Sequence, residues 1–317
     1  MAGGYRQINK SLNACAFEDY LSTQQAYLPS LAIVENVSPR VVRVLGGNPG
    51  KFTLQGTNTY LVGTGPSRLL IDTGQGIPVW SQTIADYLAA ENIEISHVLC
   101  THWHGDHTGG IPDLISLYPS LSSSIYKCHP DKGQLPIYDG QTFTVEGATV
   151  TALFTPGHSH DHMCFVLQEE NAMFTGDNVL GHGTTAVEDL GTFMSTLQVM
   201  LARDCILGYP AHGDVIPKLK LKISEYLGQR LRRERQVLLA LKKLKKANSG
   251  GGGRSRGSAT VRELAIAVHG EGMDESLYEL VLEPFMGEVL SKLAEDGKVG
   301  FELSRTGKKW YLNEFNQ

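Results

Sequence analysis

The chain has 317 residues with 41% hydrophobic and 19% charged side chains, which is the composition of a globular protein with a large core. No apolar run approaches the ~18 residues of a membrane-spanning helix, and no signal peptide is recognisable, so a cytoplasmic protein with no membrane partner is expected. The five cysteines are scattered and odd in number, which argues against a disulfide framework.

The net charge of −5 conceals one basic segment. From Lys218 to Gly257 the chain carries 13 Lys/Arg residues and 2 Asp/Glu residues, whereas the remainder is acidic. Such a segment indicates either an anionic partner or the solvated face of a helix followed by a polar linker. Charge alone does not separate these two interpretations.

Short apolar runs separated by glycine begin at Val41, after an N-terminal extension over residues 1–40 that carries no recognisable chemistry. The first three runs predict an antiparallel meander, at Val41–Leu45, Thr59–Val62 and Arg68–Asp72. Two groups of strands with helices between them predict a sheet-on-sheet core covered by helices over residues 41–217. The further strands are expected over 95–100, 142–145, 149–154, 163–167, 172–175 and 205–207. Helices are expected over 78–92, 108–117 and 189–203, the second of them broken early by Pro112.

The basic segment opens with a predicted long helix over 218–247, whose apolar stripe includes Leu219, Ile223 and Leu227. Residues 248–257, rich in Gly and Ser, predict a flexible linker. A small winged-helix-like domain is expected over 258–317, with helices over 260–269 and 279–296 and a hairpin of 299–303 with 309–312. That domain is nearly neutral and lacks a basic stripe, which favours an interaction or capping module over a nucleic-acid-binding one.

One loop, Thr101–His107, carries most of the recognisable chemistry. It reads T-H-x-H-x-D-H and directly follows the apolar run 98–100, so a buried strand is expected to end in it. Imidazole and carboxylate groups are ligands that Zn²⁺ favours, and four of them within six residues are atypical of a solvated loop. The predicted metal ligands of this loop are His102, His104, Asp106 and His107.

Three later loops repeat one pattern, an apolar run, a Gly or Pro turn and then a single His or Asp. They supply His158, Asp177 and His212, and four such loops in series are much stronger evidence than one. Seven protein ligands exceed the roughly four that one zinc ion takes, so they predict two divalent ions bridged by an aspartate. Such a pair would lie about 3.5–4 Å apart and lower the pKa of a shared water toward neutrality.

Four other residues near these loops have two possible roles each. Asp72 ends a buried strand beside the metal loop and is expected to hold a ligand imidazole, the alternative being a simple turn. Asp161 and His162 follow the first of the three later loops and are predicted either to support the ligands or to face the substrate. His182 either lines the pocket or is a loop histidine without a role.

The order and content of these loops resemble the metallo-β-lactamase superfamily over residues 41–217, and the resemblance implies an αββα sandwich. In that family the residue matching Asp106 is often assigned a proton-handling role, and Asp72 matches an acid that lies behind a ligand. The resemblance assigns His102, His104 and His158 to a first metal, Asp106, His107 and His212 to a second, and Asp177 to the bridge between them.

A closer resemblance rests on Leu45–Gly50 and Thr53–Leu61. These stretches are similar to the branch that contains the lactamase-like endoribonucleases of animal mitochondria and the fungal thioesterases that partner polyketide synthases lacking a releasing domain. The extension at Asn13–Leu21 and the stretch Lys51–Gly56 resemble the fungal thioesterases, of the atrochrysone carboxyl carrier-protein type. No Arg-rich, acid-poor mitochondrial presequence is recognisable at the start.

The resemblance implies a two-metal hydrolase, with Zn²⁺ as the expected ion and Mn²⁺ as the alternative. It would cleave, through a metal-bridged hydroxide, the thioester between an aromatic polyketide acid and the acyl carrier protein of a non-reducing polyketide synthase. Two alternatives stay open, a metal-dependent endoribonuclease acting on single-stranded RNA and another small thioester or ester hydrolase. The core motifs do not distinguish them, because the same centre attacks carbonyl carbon or phosphorus.

Overall fold

The computed structural model describes residues 28–248, 256–272, 274–305 and 307–313. Within them one compact unit ends at Tyr226 and a second begins at Leu227. The stretch Asn13–Leu21 and most of the predicted linker over 248–257 lie outside the described residues. The domain boundaries expected from the sequence stay predictions.

Short apolar runs build the first sheet of the first unit. Its seven strands pair in their order along the chain, antiparallel from the first to the fourth and parallel from the fourth to the seventh. The predicted antiparallel meander is thereby confirmed. The strands are β1 (Val34–Asn36), β2 (Val41–Leu45), β3 (Asn58–Val62), β4 (Ser67–Ile71), β5 (Glu94–Leu99), β6 (Ile125–Lys127) and β7 (Leu135–Pro136).

The second sheet has the strand order β12-β11-β10-β9-β8 among the described residues. Its neighbours run antiparallel except β11 and β12, which are parallel because a helical crossover separates them in the chain. The strands are β8 (Thr142–Val145), β9 (Ala148–Phe154), β10 (Met163–Leu167), β11 (Ala172–Gly176) and β12 (Leu207–Pro210).

Alternation of side chains along the strands gives the first sheet two buried faces. On one face, Val41 and Leu69 share a core cluster with Phe165 of the second sheet. On the other face, Leu70 packs in a separate cluster with Trp80. Fully burying an aliphatic side chain of this kind contributes about 1.5–3 kcal/mol, so both faces hold the sheet in place.

Helices complete the outer layers of the sandwich. Trp80 lies on α1 (Pro78–Glu91) and donates a hydrogen bond to Thr59 Oγ1 at 2.9 Å. Beside the second sheet, Thr196 donates to the carbonyl of Pro156 at 2.6 Å, and Leu219 lies against Gly208. The predicted αββα sandwich is confirmed. The remaining helices of this unit are α2 (Gly105–Thr108), α3 (Ile111–Leu117), α4 (Leu190–Ala202) and the start of α5 (Leu219–Asn248).

Two elements expected from the sequence are wrong in detail. The helix expected over 108–117, broken early by Pro112, is the pair α2 and α3, and the break falls earlier, at Gly109 and Gly110. The backbone of Thr73 approaches Gly110 so closely that an added Cβ would lie 2.0 Å from the carbonyl oxygen of Thr73. The strand expected at Cys205–Leu207 is instead Leu207–Pro210, which pairs with β11. The sequence also did not predict β1, β6 and β7, which are too short to carry a periodic signal.

In the second unit, α5 leads into further helices and then a hairpin. The N-terminus of α6 is closed by a capping box, in which Thr260 and Glu263 each accept a hydrogen bond from the other's backbone N–H. Helices followed by an antiparallel hairpin match the predicted winged-helix-like arrangement. No helix in the described part of the chain is both long and apolar enough to cross a bilayer. The elements are α6 (Val261–His269), a short helical segment over 275–282, α7 (Glu283–Glu295), β13 (Val299–Ser304) and β14 (Gly307–Leu312).

Candidate metal centre

The ends of several strands converge at one edge of the sandwich. After β5 the chain passes through His102 and His104, and the single turn of α2 then presents Asp106 and His107. The loops after β9, β11 and β12 bring the other three predicted ligands to the same place. All seven side chains are at most 8% exposed, and they are His102, His104, Asp106, His107, His158, Asp177 and His212.

The structure divides these residues into two groups that could each hold a metal ion. The first contains His102, His104, His158 and Asp177. His102 Nε2 lies 2.8 Å and His158 Nε2 lies 3.1 Å from His104 Nδ1. Asp177 Oδ2 closes the group at 3.4 Å from His158 Nε2. Three imidazole nitrogens and a carboxylate oxygen make a donor set suited to a divalent cation.

The second group contains Asp106, His107 and His212. Asp106 Oδ2 lies 3.2 Å from the Nε2 atoms of both histidines. The other oxygen of Asp177, Oδ1, lies 3.2 Å from His212 Nε2 and 3.5 Å from His107 Nε2. Asp177 therefore presents one carboxylate oxygen to each group, which is the arrangement a bridging ligand requires.

Hydrogen bonds on the far side of the rings fix which nitrogen faces the centre. His107 Nδ1 lies 2.8 Å from Asp72 Oδ2, and His158 Nδ1 lies 2.7 Å from the carbonyl of Ala186. Carboxylate and carbonyl oxygens only accept, so each Nδ1 must carry the proton. The Nε2 atoms of His107 and His158 are therefore the ones that face the centre, where each can give its lone pair to a cation in place of a proton.

Several polar atoms of the centre are buried without a hydrogen-bond partner among the described residues. They include His107 Nε2 and Asp177 Oδ1. Burying a polar atom without a partner costs about 1–3 kcal/mol, and a charged one more. These two atoms lie 3.5 Å apart at the second group, so a cation bound there would satisfy both. The residues present thus fit a pair of divalent ions.

Charges within the centre shift the pKa values in opposite directions. Burial, together with neighbouring histidines, lowers the pKa of His104 to about 3 and that of His102 well below its usual range. Burial would also lower the pKa of His212, but the charges of Asp177 and Asp106 raise it to about 9. The first group therefore offers neutral imidazoles, whereas protons compete with cations for the second group.

The pKa of Asp106 is held well below its usual range. Burial alone would raise it, but the charge of His107 and the hydrogen bonds of His107 and His212 outweigh burial. Thr57 Oγ1 also donates to Asp106 Oδ2 at 3.2 Å. Asp106 is thus an anion whose Oδ2 faces the two histidines of the second group.

Sequence reasoning missed the role of the segment Thr57–Asn58. Asn58 Nδ2 donates to the carbonyls of Pro210 and Gly213, both at 2.8 Å, and so clamps the loop that carries His212. This segment belongs to the stretch Thr53–Leu61, which carried the family resemblance without an assigned function. A polar Thr-Asn pair leading into an apolar strand was the available signal.

The residues predicted to have a supporting role occupy three different places. His162 lies behind Asp177, and its Nε2 accepts from the backbone N–H of Asp177 at 3.1 Å. Asp161 is buried and accepts from Ser159 Oγ at 2.9 Å, outside both groups. His182 also lies outside both groups, with Nδ1 buried and without a partner among the described residues. A substrate-facing role for these residues stays a prediction.

Comparisons with known proteins agree with this geometry. A sequence model of the metallo-beta-lactamase superfamily matches residues 52–213. A protein of Cryptosporiopsis sp. named "Atrochrysone carboxyl ACP thioesterase" is 63% identical over 98% of this chain and 97% of its own length. A protein of Aspergillus fumigatus named in the same way is 58% identical over 99% of this chain and 79% of its own length. A "Lactamase-like protein" of another Aspergillus species is 63% identical over 98% of this chain and 97% of its own length.

Solved structures share the fold at low sequence identity. A beta-lactamase domain protein of Burkholderia ambifaria has a TM-score of 0.69 and 14% identity, covering 88% of this chain and 93% of its own. A metallo-beta-lactamase family protein of Thermus thermophilus has a TM-score of 0.61 and 19% identity, and the match covers 87% of this chain and 100% of that protein. Together with the full-length fungal relatives, these matches mean that the chain belongs to the metallo-β-lactamase superfamily and to the family of those fungal proteins.

Proposed function

We propose that this protein is a two-metal thioesterase that releases an aromatic polyketide acid from the acyl carrier protein of a non-reducing polyketide synthase. The observation that carries the proposal is the set of relatives named atrochrysone carboxyl ACP thioesterase, which are 58–63% identical over nearly all of this chain. The buried cluster of His and Asp side chains supports a metal-dependent hydrolase. We also propose that the protein acts in the cytoplasm, where it would encounter such a synthase.

Two divalent ions would be held by the two groups described above. His102, His104 and His158 would bind the first ion, and Asp106, His107 and His212 the second, with Asp177 shared between them. Nitrogen and oxygen donors in this number suit Zn²⁺, with Mn²⁺ as the alternative. When bound, the ions would supply a water of lowered pKa and an electrophile for the thioester carbonyl oxygen.

The protein's own residues prepare the centre and handle the proton. Asp72 and the carbonyl of Ala186 hold two ligand rings in the tautomer that faces inward. The family resemblance assigns the proton that hydrolysis releases to Asp106; because the pKa of Asp106 is held well below its usual range, it would carry that proton only in passing and release it at once. The leaving thiol has an ordinary pKa of about 8.5, so it departs as thiolate with little help from an acid.

The proposal is tested by mixing the purified protein with a polyketide-loaded synthase and following release of the free acid. The native protein should release product, and a chelator should abolish release. His104→Ala should reduce the rate by roughly a thousandfold or more, because it removes a nitrogen shared by the close contacts of the first group. His129→Ala, at an exposed histidine outside both groups, serves as the matched control and should release product at the native rate.

Single-stranded RNA and simple esters are offered in parallel to the same preparation. Cleavage of RNA with an inert synthase would establish the endoribonuclease alternative and refute the thioesterase. Hydrolysis of small esters and thioesters, with the loaded synthase left intact, would establish the general hydrolase.

A further inference from the structure

The exposed side of α5 in the second unit carries a row of cations that the metal centre does not use. Arg232, Arg235, Lys242 and Lys246 are exposed and follow one another at intervals of three, seven and four residues. These intervals place them on one face of the helix, and Lys243 adjoins the row. These five residues are called the basic face below.

The cations of the basic face have no anionic partner within the described part of the chain. Salt bridges form instead on the buried side of α5, where Glu234 pairs with Lys292 at 2.6 Å. Lys242 and Lys246 are one helical turn apart and repel each other. Lys246 lies in the last turn of α5, where a cation stabilises the helix, but that reason does not extend to Arg232, Arg235 and Lys242. The charge of the basic face is therefore available to an anionic partner.

The helix that displays this row is firmly packed. Val237, Ala240 and Leu241 on its opposite side are at most 4% exposed. Glu234 also forms an ion pair with Lys298, at 3.6 Å, in addition to the one with Lys292. The basic face is thus a preformed surface, which lowers the entropic cost of binding.

An exposed leucine lies in the middle of the row. Leu239 is 48% exposed and comes four residues after Arg235 and three before Lys242, on the same face. An apolar centre with a charged rim is the anatomy of a protein-binding surface. A surface for single-stranded RNA would be expected to include aromatic side chains for base stacking, and residues 227–248 contain none.

We propose that the basic face docks the acyl carrier protein that bears the thioester, an inference that rests on the proposed function. Carrier proteins present an acidic surface around the phosphopantetheine arm, which complements the basic face. Outside residues 218–257 this chain carries 15 basic and 31 acidic residues, so an acidic carrier would be repelled elsewhere and steered to α5.

The test compares one acyl group on two leaving groups, the carrier protein and the small thiol N-acetylcysteamine. The variant Arg235→Glu/Lys242→Glu/Lys246→Glu reverses the basic face. Its control, Lys132→Glu/Arg203→Glu/Arg305→Glu, makes the same change in net charge at exposed residues outside α5. The first variant should lower kcat/KM for the carrier thioester about tenfold or more, and weaken its dependence on salt, while the control leaves both unchanged.

The small thioester separates this inference from the proposed function. Both variants should hydrolyse it at the native rate, because no carrier is involved. Equal activity of the two variants on the carrier thioester would overturn the docking inference alone. A native protein that hydrolyses neither thioester would overturn the function and the inference together.

Two further readouts guard against misfolding and against the RNA alternative. If the glutamate variant loses helix in circular dichroism, Arg235→Gln/Lys242→Gln/Lys246→Gln at the same positions should still lower kcat/KM for the carrier thioester alone. Loss of RNA binding by the glutamate or the glutamine variant of the basic face, with turnover of the carrier thioester unchanged, would assign the basic face to nucleic acid and refute carrier docking.

Discussion

At the scale of single residues, the sequence was most informative where a side chain follows the end of a strand. The seven predicted ligands come together in the structure because four of them follow β5 and the other three follow β9, β11 and β12, whose ends meet at one edge of the sandwich. The carbonyl of Ala186 was not predictable, because any residue could supply it. The polar pair Thr57–Asn58 was a signal in the sequence, but the contact of Thr57 with Asp106 was not predictable, since it depends on how β3 lies beside the metal loop.

Asp72→Asn tests how far the carboxylate behind His107 controls the centre. Asparagine tolerates the left-handed backbone of Asp72, whose φ is 58°, so the fold should persist. The neutral amide holds the proton of His107 Nδ1 less firmly, so metal affinity should fall about 10- to 100-fold. Metal content after dialysis against graded chelator measures this. Asp86→Asn, at an exposed aspartate of α1, should retain native affinity.

His97 on β5 makes stability depend on pH. Its ring packs near Tyr126 and Phe143, its Nδ1 has no partner among the described residues, and burial lowers its pKa. Below about pH 6.5 the unfolded chain binds a proton that folded His97 resists, so the free energy of unfolding falls as pH falls.

His97→Phe should therefore reduce the loss of stability between pH 7.5 and pH 5.5, as measured by urea unfolding. The exposed His129→Phe provides the comparison. An equally large loss of stability in His97→Phe and in the native protein would contradict this account of His97.

At the scale of elements, periodicity predicted strands and helices well where the runs were long. At one helix end, adjacent glycines set a boundary that periodicity did not predict. Gly109 and Gly110 end α2 because the chain there passes against the backbone of Thr73 and Gln75, a contact between distant segments. A glycine in the sequence indicates that a helix ends there, but it does not show which other segment of backbone lies against it.

Gly157→Ala tests such an approach directly beside His158. Gly157 has a φ of 134°, and an added Cβ would lie 2.4 Å from Phe193 Cα on α4. Because helix backbone cannot yield, the loop must move, and we expect both a loss of more than about 1 kcal/mol in stability and weaker metal binding. Urea unfolding and metal titration measure the two effects.

Gly140→Ala is the matched control for this substitution. Its φ is also positive, at 78°, but a Cβ there meets nothing within 4 Å. It should show the backbone strain without the loss of metal affinity. Equal metal affinity in the two variants would mean that the approach to α4 does not position His158.

At the scale of the whole molecule, the sequence predicted a core followed by a smaller domain. It could not predict that the division falls after Tyr226, because α5 runs as one helix from Leu219 to Asn248. The amphipathic pattern of that helix is continuous, and only contacts made by other segments reveal which unit each turn belongs to. The family resemblance supplied what the pattern lacked, namely the pairing of ligands across two sheets.

Metal removal should destabilise the first unit selectively. Ions at about a thousand times their dissociation constant would stabilise the unit that binds them by about 4 kcal/mol. Adding Zn²⁺ to the metal-free protein should therefore slow amide hydrogen exchange in β5, β9 and β11. Exchange in β13 and β14 serves as the internal reference and should stay the same; an equal slowing there would contradict a metal centre confined to the first unit.

The spread of the ligands along the chain has a consequence for synthesis of the protein. The loop that opens the centre begins at His102, whereas the last member of the second group is His212. During translation, a nascent chain that ends between Asp177 and His212 contains every member of the first group but still lacks His212 of the second. We therefore expect the ribosome-bound protein to acquire its first ion early and its second only after β12 has emerged, so that occupancy of the second position marks a chain whose two sheets have closed.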